Sequence, residues 1–229
     1  MYKTQIVASL MLKNLQEISD FDLSQLAGAD LIEWRADALG SVDSILEAAA
    51  VFFEKFQDWS VIFTVRTTAE GGKIQLNATD YAALLKEVIA NYQPEYTDME
   101  YFQAAELLTG ADRLPGKLIA SFHDFHQLPE DLEARLTEMA ATKPDIVKVA
   151  VSPKTTDEVL QFMQLAEKFH AASHQPLIAI AMSEIGQLTR IAGQLTSSIM
   201  TFASLPGEAA APGQLTIAET RTILDILEK

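Results

Sequence analysis

Short apolar runs rich in β-branched and aromatic residues recur along this chain. Each is followed by a longer segment whose apolar positions return every three or four residues. The first pattern predicts buried strands and the second predicts amphipathic helices. Strands are predicted over Gln5–Leu10, Asp30–Arg35, Val61–Arg66, Tyr96–Glu100, Lys117–Phe122, Asp145–Val151, Pro176–Met182 and Ser198–Ser204. Helices are predicted over Leu15–Ala27, Val42–Phe56, Thr79–Tyr92, Phe102–Leu108, Pro129–Ala141, Thr156–Ala172, Ile185–Leu195 and Gln214–Leu227. Ser41, Thr79-Asp80 and Thr155 or Thr156 are the candidate helix caps. Eight β-then-α units in 229 residues specify a (β/α)8 TIM barrel more readily than an open doubly wound sheet. A single catalytic domain over residues 1–229 is expected, because no linker or repeat divides the chain. No GxGxxG or Gly-Lys-Ser/Thr loop supports a nucleotide-binding version.

Composition narrows the partners. The chain is 48% hydrophobic and 21% charged, ordinary for a globular protein, with a formal net charge of −15. That charge argues against nucleic acid and anionic membrane. It leaves room for an anionic small substrate at a locally basic site. There are no cysteines, which excludes disulfides, thiolate catalysis and cysteine-based metal sites. The composition fits a reducing cytoplasm. No apolar stretch approaches the roughly 18 residues of a membrane span. The opening Met1–Leu12 reads as a first strand rather than a signal peptide.

In a parallel barrel, chemistry gathers at the carboxyl ends of the strands. The unusual polar residues of this sequence fall there strand after strand. Glu33, Arg35 and Asp37 alternate at the end of strand two. Arg66 ends strand three, with Glu70-Gly71-Gly72 in the loop beyond it. Asp98 and Glu100 alternate at the end of strand four, and His123 ends strand five. Lys148 stands alone in the apolar run Asp145–Val151. Met182 ends strand seven, with Arg190 beyond it. Burial favours the neutral amine of a lysine unless a partner holds its charge, and a free amine can attack a carbonyl to form a Schiff base.

Plainer readings exist for each residue. Lys148 can reach solvent past its strand end, and Glu33 with Arg35 can be a barrel-stabilising ion pair. Asp98 and Glu100 can cap a helix or bind a cation, His123 can be structural, Met182 can be core, and Arg190 can be a solvated helix residue. Five successive strand ends with charged or titratable groups weigh against all of these together. His170 and His174 have a zinc-compatible spacing but fall on the far part of a helix, so no metal site is expected. A magnesium site on Glu33, Asp98 and Glu100 is disfavoured by the nearby arginines and lysine.

Glu33-Trp-Arg-Ala-Asp37, Phe63-Thr-Val-Arg66, Ser121-Phe-His-Asp-Phe125, Ile146-Val-Lys-Val149, Met182 and Ala211-Pro-Gly-Gln214 together resemble the type I 3-dehydroquinate dehydratases. The resemblance runs in the family's order over essentially the whole chain. It implies a shikimate-pathway lyase that converts 3-dehydroquinate to 3-dehydroshikimate without metal or organic cofactor, in a cytoplasmic homodimer. By resemblance, Lys148 is the Schiff-base lysine, His123 the general acid/base and Glu70 its orienting partner. Glu33, Arg35 and Arg66 hold substrate hydroxyls and the charge network. Arg190 pairs with the substrate carboxylate, Met182 packs on its ring and Gln214 closes the site. Ser9, Asp98, Glu100 and Ala210 are supporting positions. One departure stands out, Ala210 at a position where the family usually has serine; the chain is also expected to start at the first barrel strand and to lack the hairpin that covers the barrel bottom in longer members. The competing readings are a Schiff-base aldolase on a phosphorylated substrate and a catalytically inactive barrel. The loops after strands seven and eight carry no glycine-rich phosphate cradle, which disfavours the aldolase. Intact His123 and Lys148 disfavour the inactive barrel.

Overall fold

The computed structural model describes residues 3–109, 113–207 and 213–227. Eight parallel strands form one nearly closed barrel. They are β1 (Gln5–Leu10), β2 (Leu31–Arg35), β3 (Val61–Thr64), β4 (Tyr96–Glu100), β5 (Lys117–Asp124), β6 (Ile146–Val151), β7 (Leu177–Ala181) and β8 (Met200–Ala203). The sheet runs β7-β6-β5-β4-β3-β2-β1-β8. The seam between β7 and β8 is drawn together by single bonds. Ile199 N–H donates to Leu177 O at 2.9 Å, and Ala179 N–H donates to Ser198 Oγ at 3.1 Å.

Helices α1 (Leu15–Ser19), α2 (Val42–Lys55), α3 (Ala78–Tyr92), α4 (Tyr101–Ala104), α5 (Leu132–Ala141), α6 (Thr156–Ser173), α7 (Gly193–Thr196) and α8 (Ile217–Leu227) cover the outside. Ser41 caps α2 and Thr155 caps α6, each accepting an N–H three residues on. Asn77, not Thr79 or Asp80, caps α3 by accepting from Asp80 N–H. Three predicted helices break. Leu15–Ala27 divides into α1 and a 3-10 turn at Leu23–Leu26, because Asp22 bonds to Ser24 N–H and opens a new start. Ile185–Leu195 becomes a 3-10 turn at Gln187–Arg190 and the short α7. Phe102–Leu108 likewise divides into α4 and a 3-10 turn over Ala105–Leu108. Among the described residues, no helix is long and apolar enough to cross a membrane.

The main core lies between the barrel wall and the helices. Trp34 stacks on Phe52 at 4.3 Å and touches Phe63, welding α2 onto β2 and β3. A second apolar cluster fills the barrel itself and includes Val7, Leu31, Ile62, Ile119, Ile146, Ile178 and Met200. It forms a solid floor beneath the strand ends.

Candidate active site

Alternate residues of each strand face the barrel axis. Two residues beyond the apolar floor, the same strands present Ser9, Glu33, Thr64, Asp98, Ser121, Lys148, Ile180 and Phe202. One further step brings Arg35, Arg66, Glu100, His123, Ala150 and Met182. A single cavity opens here. Its lining includes Ser9, Glu33, Arg35, Arg66, Glu70, His123, Lys148, Met182, Arg190 and Gln214, all of them anticipated from sequence. Asp98 and Glu100 are not part of its lining and are almost wholly buried. Ala210 lies outside the described residues.

Lys148 is paired rather than isolated. Its Nζ donates to Asp98 Oδ2 at 2.8 Å, lies 3.7 Å from Glu33 Oε1, and stands 4.0 Å over the centroid of the Phe202 ring. The reading of Lys148 as a head reaching solvent is thereby corrected, since the residue is 4% exposed. Asp98 Oδ1 accepts from Arg66 Nη2 and from Ser121 Oγ, both at 2.6 Å. Burial alone would push the Asp98 carboxyl up, but the Arg66 guanidinium and the Lys148 amine outweigh it and hold it far below the usual carboxylate range.

Arg66 is committed to protein partners. It also reaches Ser121 Oγ at 3.0 Å, Glu70 Oε2 at 3.3 Å and Glu100 Oε1 at 3.5 Å. Burial pulls its pKa down, yet Asp98, Glu100 and Glu70 together raise it well above the ordinary value. Glu100 is fixed from three sides: it accepts from Thr67 N–H and Thr67 Oγ1 at 2.7 Å each, while its own N–H donates to Tyr81 Oη.

The ion pair anticipated between Glu33 and Arg35 does not form. Arg35 instead grips Asp37 through Nε at 2.8 Å and Nη2 at 2.9 Å. Asp37 is completely buried on the turn after β2 and also accepts from the Arg66 and Lys73 N–H groups. It therefore ties the loop after β3 to the end of β2. Glu33 accepts from Ser9 Oγ at 2.8 Å and Thr64 Oγ1 at 3.0 Å, one on each oxygen.

His123 and Glu70 form the second half of the site. His123 Nδ1 and Glu70 Oε2 are 2.8 Å apart. Burial, then Arg66 and Lys148, hold the imidazole well below its ordinary 6.5. Burial also pushes the Glu70 carboxyl up to about 8, against the pull of Arg66. The turn that presents Glu70 needs its glycines. Gly71 has φ +78°, and a side chain there would strike the Phe125 ring at 2.5 Å. A side chain on Gly72 would overlap the Arg66 backbone.

The opposite wall is apolar, formed by Ala150, Ile180, Met182 and Phe202. Arg190 enters beside it from the end of the 3-10 turn. It is 3% exposed rather than a solvated helix residue, and burial pushes its guanidinium down to about 10. The cavity residues missed from sequence are Gly71, Phe125, Ala150, Ile180 and Phe202. Alternation from Lys148, Met182 and Met200 was the available signal for three of these. Among the described residues, no group of three or more histidine or acidic side chains is placed to hold a metal ion. His170 instead contacts Gln175 O at 2.9 Å, and His174 ends α6 in a left-handed turn.

A family model described as type I 3-dehydroquinase matches residues 6–229. A 3-dehydroquinate dehydratase of Lactococcus lactis subsp. lactis is 42% identical over 229 residues, 100% of both chains. The crystal structure of 3-dehydroquinate dehydratase from Geobacillus kaustophilus superposes with TM-score 0.87 at 30% identity, over 98% of this chain and 91% of that one. The type I 3-dehydroquinate dehydratase of Clostridium difficile, solved with covalent modified comenic acid, gives TM-score 0.85 at 27% identity, over 99% and 93%.

Proposed function

The chain belongs to the type I 3-dehydroquinase family, and we propose that it performs the family's reaction through an imine on Lys148, with His123 as proton carrier. The reaction is the dehydration of 3-dehydroquinate to 3-dehydroshikimate in the shikimate pathway, which makes the protein a hydro-lyase. The observation that carries the covalent reading is the convergence of Lys148, His123 and Arg190 on one cavity. The covalently modified ligand of the Clostridium difficile relative supports it as well.

Lys148 Nζ attacks the ring ketone, and the ketone oxygen leaves as water. The resulting iminium withdraws electrons and acidifies the adjacent carbon. His123 takes a proton from that carbon. In the tautomer that carries its proton on Nδ1, the nitrogen facing Glu70 Oε2 at 2.8 Å, the neutral imidazole offers the Nε2 lone pair as the base. The enamine then expels the β-hydroxyl, and protonated His123 supplies the proton that makes it water. One group acting first as base and then as acid must return to neutral each cycle. The depressed imidazole favours that return. Hydrolysis of the second iminium releases the conjugated enone.

Binding is assigned by chemistry. Arg190 suits the substrate carboxylate, which a planar guanidinium can hold through two parallel bonds. Met182 packs on the ring, and Gln214 closes from the last loop. Glu33 and Arg35 face the ring hydroxyls. Arg66, whose Nη1 and Nη2 are engaged by Asp98, Ser121, Glu70 and Glu100, organises the network rather than the substrate.

Two measurements test this. Added 3-dehydroquinate should produce the ultraviolet absorbance of a conjugated enone. Borohydride present during turnover should reduce the iminium to a stable adduct on Lys148, visible by peptide mass. Turnover with no adduct at Lys148 would remove the covalent route while leaving the reaction class intact.

A further inference from the structure

Phe202 is a residue of β8 that would pass for core packing. It is 5% exposed, and its register partner on β1 is Val7. Its ring face nevertheless meets a charged nitrogen: Lys148 Nζ stands 4.0 Å from the centroid. A cation over a ring face is attracted by the ring quadrupole, and more strongly where water is excluded. Three partners therefore surround Nζ: the Asp98 carboxylate at 2.8 Å, the Glu33 carboxylate at 3.7 Å and this ring.

Those partners are not equivalent once the nitrogen reacts. Resting on the imine reading above, an ammonium and a ketone become an iminium and water. The C–N bond forms, the C–O bond breaks, and two of the three ammonium protons depart with the ketone oxygen. One positive charge is conserved, while the N–H donors fall from three to one. A single N–H serves one carboxylate. The ring needs no N–H, so its attraction survives the change. We propose that Phe202 is a catalytic residue of this site, holding the positive charge of the iminium when Lys148 keeps a single N–H, which Asp98 takes, and has no proton left to turn toward Glu33. With fewer N–H bonds to share its charge, the iminium draws more strongly on the ring than the hydrogen-bonded ammonium does, so removing the ring costs the iminium more. Only such a difference alters rate.

The substrate ring also passes near this wall, so shape and charge must be separated. The probe is a series at position 202: phenylalanine, then 4-fluoro-, 3,5-difluoro- and 3,4,5-trifluorophenylalanine, with Phe202→Leu as the limit. Fluorine drains the ring face of negative potential and leaves its outline nearly unchanged. Two readouts are taken with 3-dehydroquinate: kcat and KM, and the fraction of Lys148 trapped by borohydride at saturation. We expect kcat and the trapped fraction to fall stepwise with each fluorine, with KM steady within about twofold. Phe202→Leu should lose several-fold in kcat, up to a ceiling of roughly 30-fold, the factor that about 2 kcal/mol of desolvated cation–π attraction would represent if all of it were gained at the iminium. A flat series in a protein that still traps substrate on Lys148 overturns the role of Phe202 and leaves the imine intact. Absence of any Lys148 adduct in the unsubstituted protein overturns the imine and this inference with it.

Discussion

Two layers of the barrel interior lie two residues apart on the same strands and carry opposite chemistry. Leu31, Ile62, Ile119 and Ile146 form the floor; Glu33, Thr64, Ser121 and Lys148 stand directly above them. Both layers are buried. The floor gains from that burial, roughly 1.5–3 kcal/mol for each large apolar side chain. The upper layer loses solvation and regains it only through partners, so its net contribution to stability is small. Only β7 and β8 remain apolar through both layers, with Ile178, Ile180 and Met182 on one side and Met200 and Phe202 on the other. The barrel thus separates the residues that keep it folded from those proposed to react. Carboxylates and cations line one side of the cavity, and a low-dielectric wall faces them.

Lys148→Met tests the separation most severely. Removing a nucleophile should cost on the order of 10^4–10^6-fold in kcat. The fold should survive, because Asp98 keeps Arg66 and Ser121 at 2.6 Å. Circular dichroism melting alongside the enone assay reads both. His123→Ala should follow, slowing elimination by roughly 10^2–10^4-fold while borohydride still traps the imine. The same residue fixes the acid limb. With its imidazole held well below 6.5, activity should persist as pH falls through 6.5 and fail only further down. A loss centred at 6.5 itself would mean that the site does not depress this group.

The floor gives the opposite result. Ile119 is completely buried, and Ile119→Ala should cost about 2–5 kcal/mol of stability. Its kcat at 25 °C should stay within roughly threefold. A kcat loss rivalling that of His123→Ala would break the comparison, because the floor would then be part of the machinery. Arg190→Ala sharpens it from the substrate side. It should weaken binding by about 2–4 kcal/mol, seen mainly in KM, because a buried carboxylate loses its partner. Unchanged KM would move carboxylate recognition to another residue.

What was legible in the sequence was whatever rests on local pattern. All eight strands were visible, most of them as apolar runs bounded by polar loops. Their ends shifted by up to two residues, as with β3, which stops at Thr64, and β5, which reaches Asp124. Leu15–Ala27 was misread because Asp22, accepting from Ser24 N–H, opens a new turn inside an apolar periodicity that continues in sequence, and α7 has no side-chain cap to mark its start. Single strand-end residues were legible because a charge in an apolar run is conspicuous. Their partners were not. Glu70 meets His123 across 53 positions, and Lys148 meets Asp98 across 50. Arg35 reaching forward to Asp37 instead of back to Glu33 depends on a turn geometry that alternation does not encode. Phe202 gave no sign of its role, because a ring over a nitrogen and a ring in a core look alike in sequence.

The smallest expected effect isolates one carboxyl of the upper layer. Burial pushes Glu70 from an ordinary 4.5 to about 8. Between those values the folded protein holds a proton on Glu70 that the unfolded chain has released. The linked stability is therefore complete below about pH 4.5 and is lost as pH rises toward 8. His123 works with the opposite sign. Its folded imidazole stays neutral where the unfolded one protonates, so its contribution is lost as pH falls below 6.5. The interval from pH 6.5 to 8 separates the two. Across it the parent protein should lose stability with rising pH, and Glu70→Gln should lose measurably less, because the amide has no proton to release. Urea denaturation of both proteins at pH 6.5 and 8 gives the difference, in which titrating groups remote from Glu70 cancel. Equal slopes would mean that Glu70 is already ionised in the folded barrel at neutral pH. Arg66 would then hold three carboxylates rather than two, and the charged layer would be more fully compensated than burial alone implies.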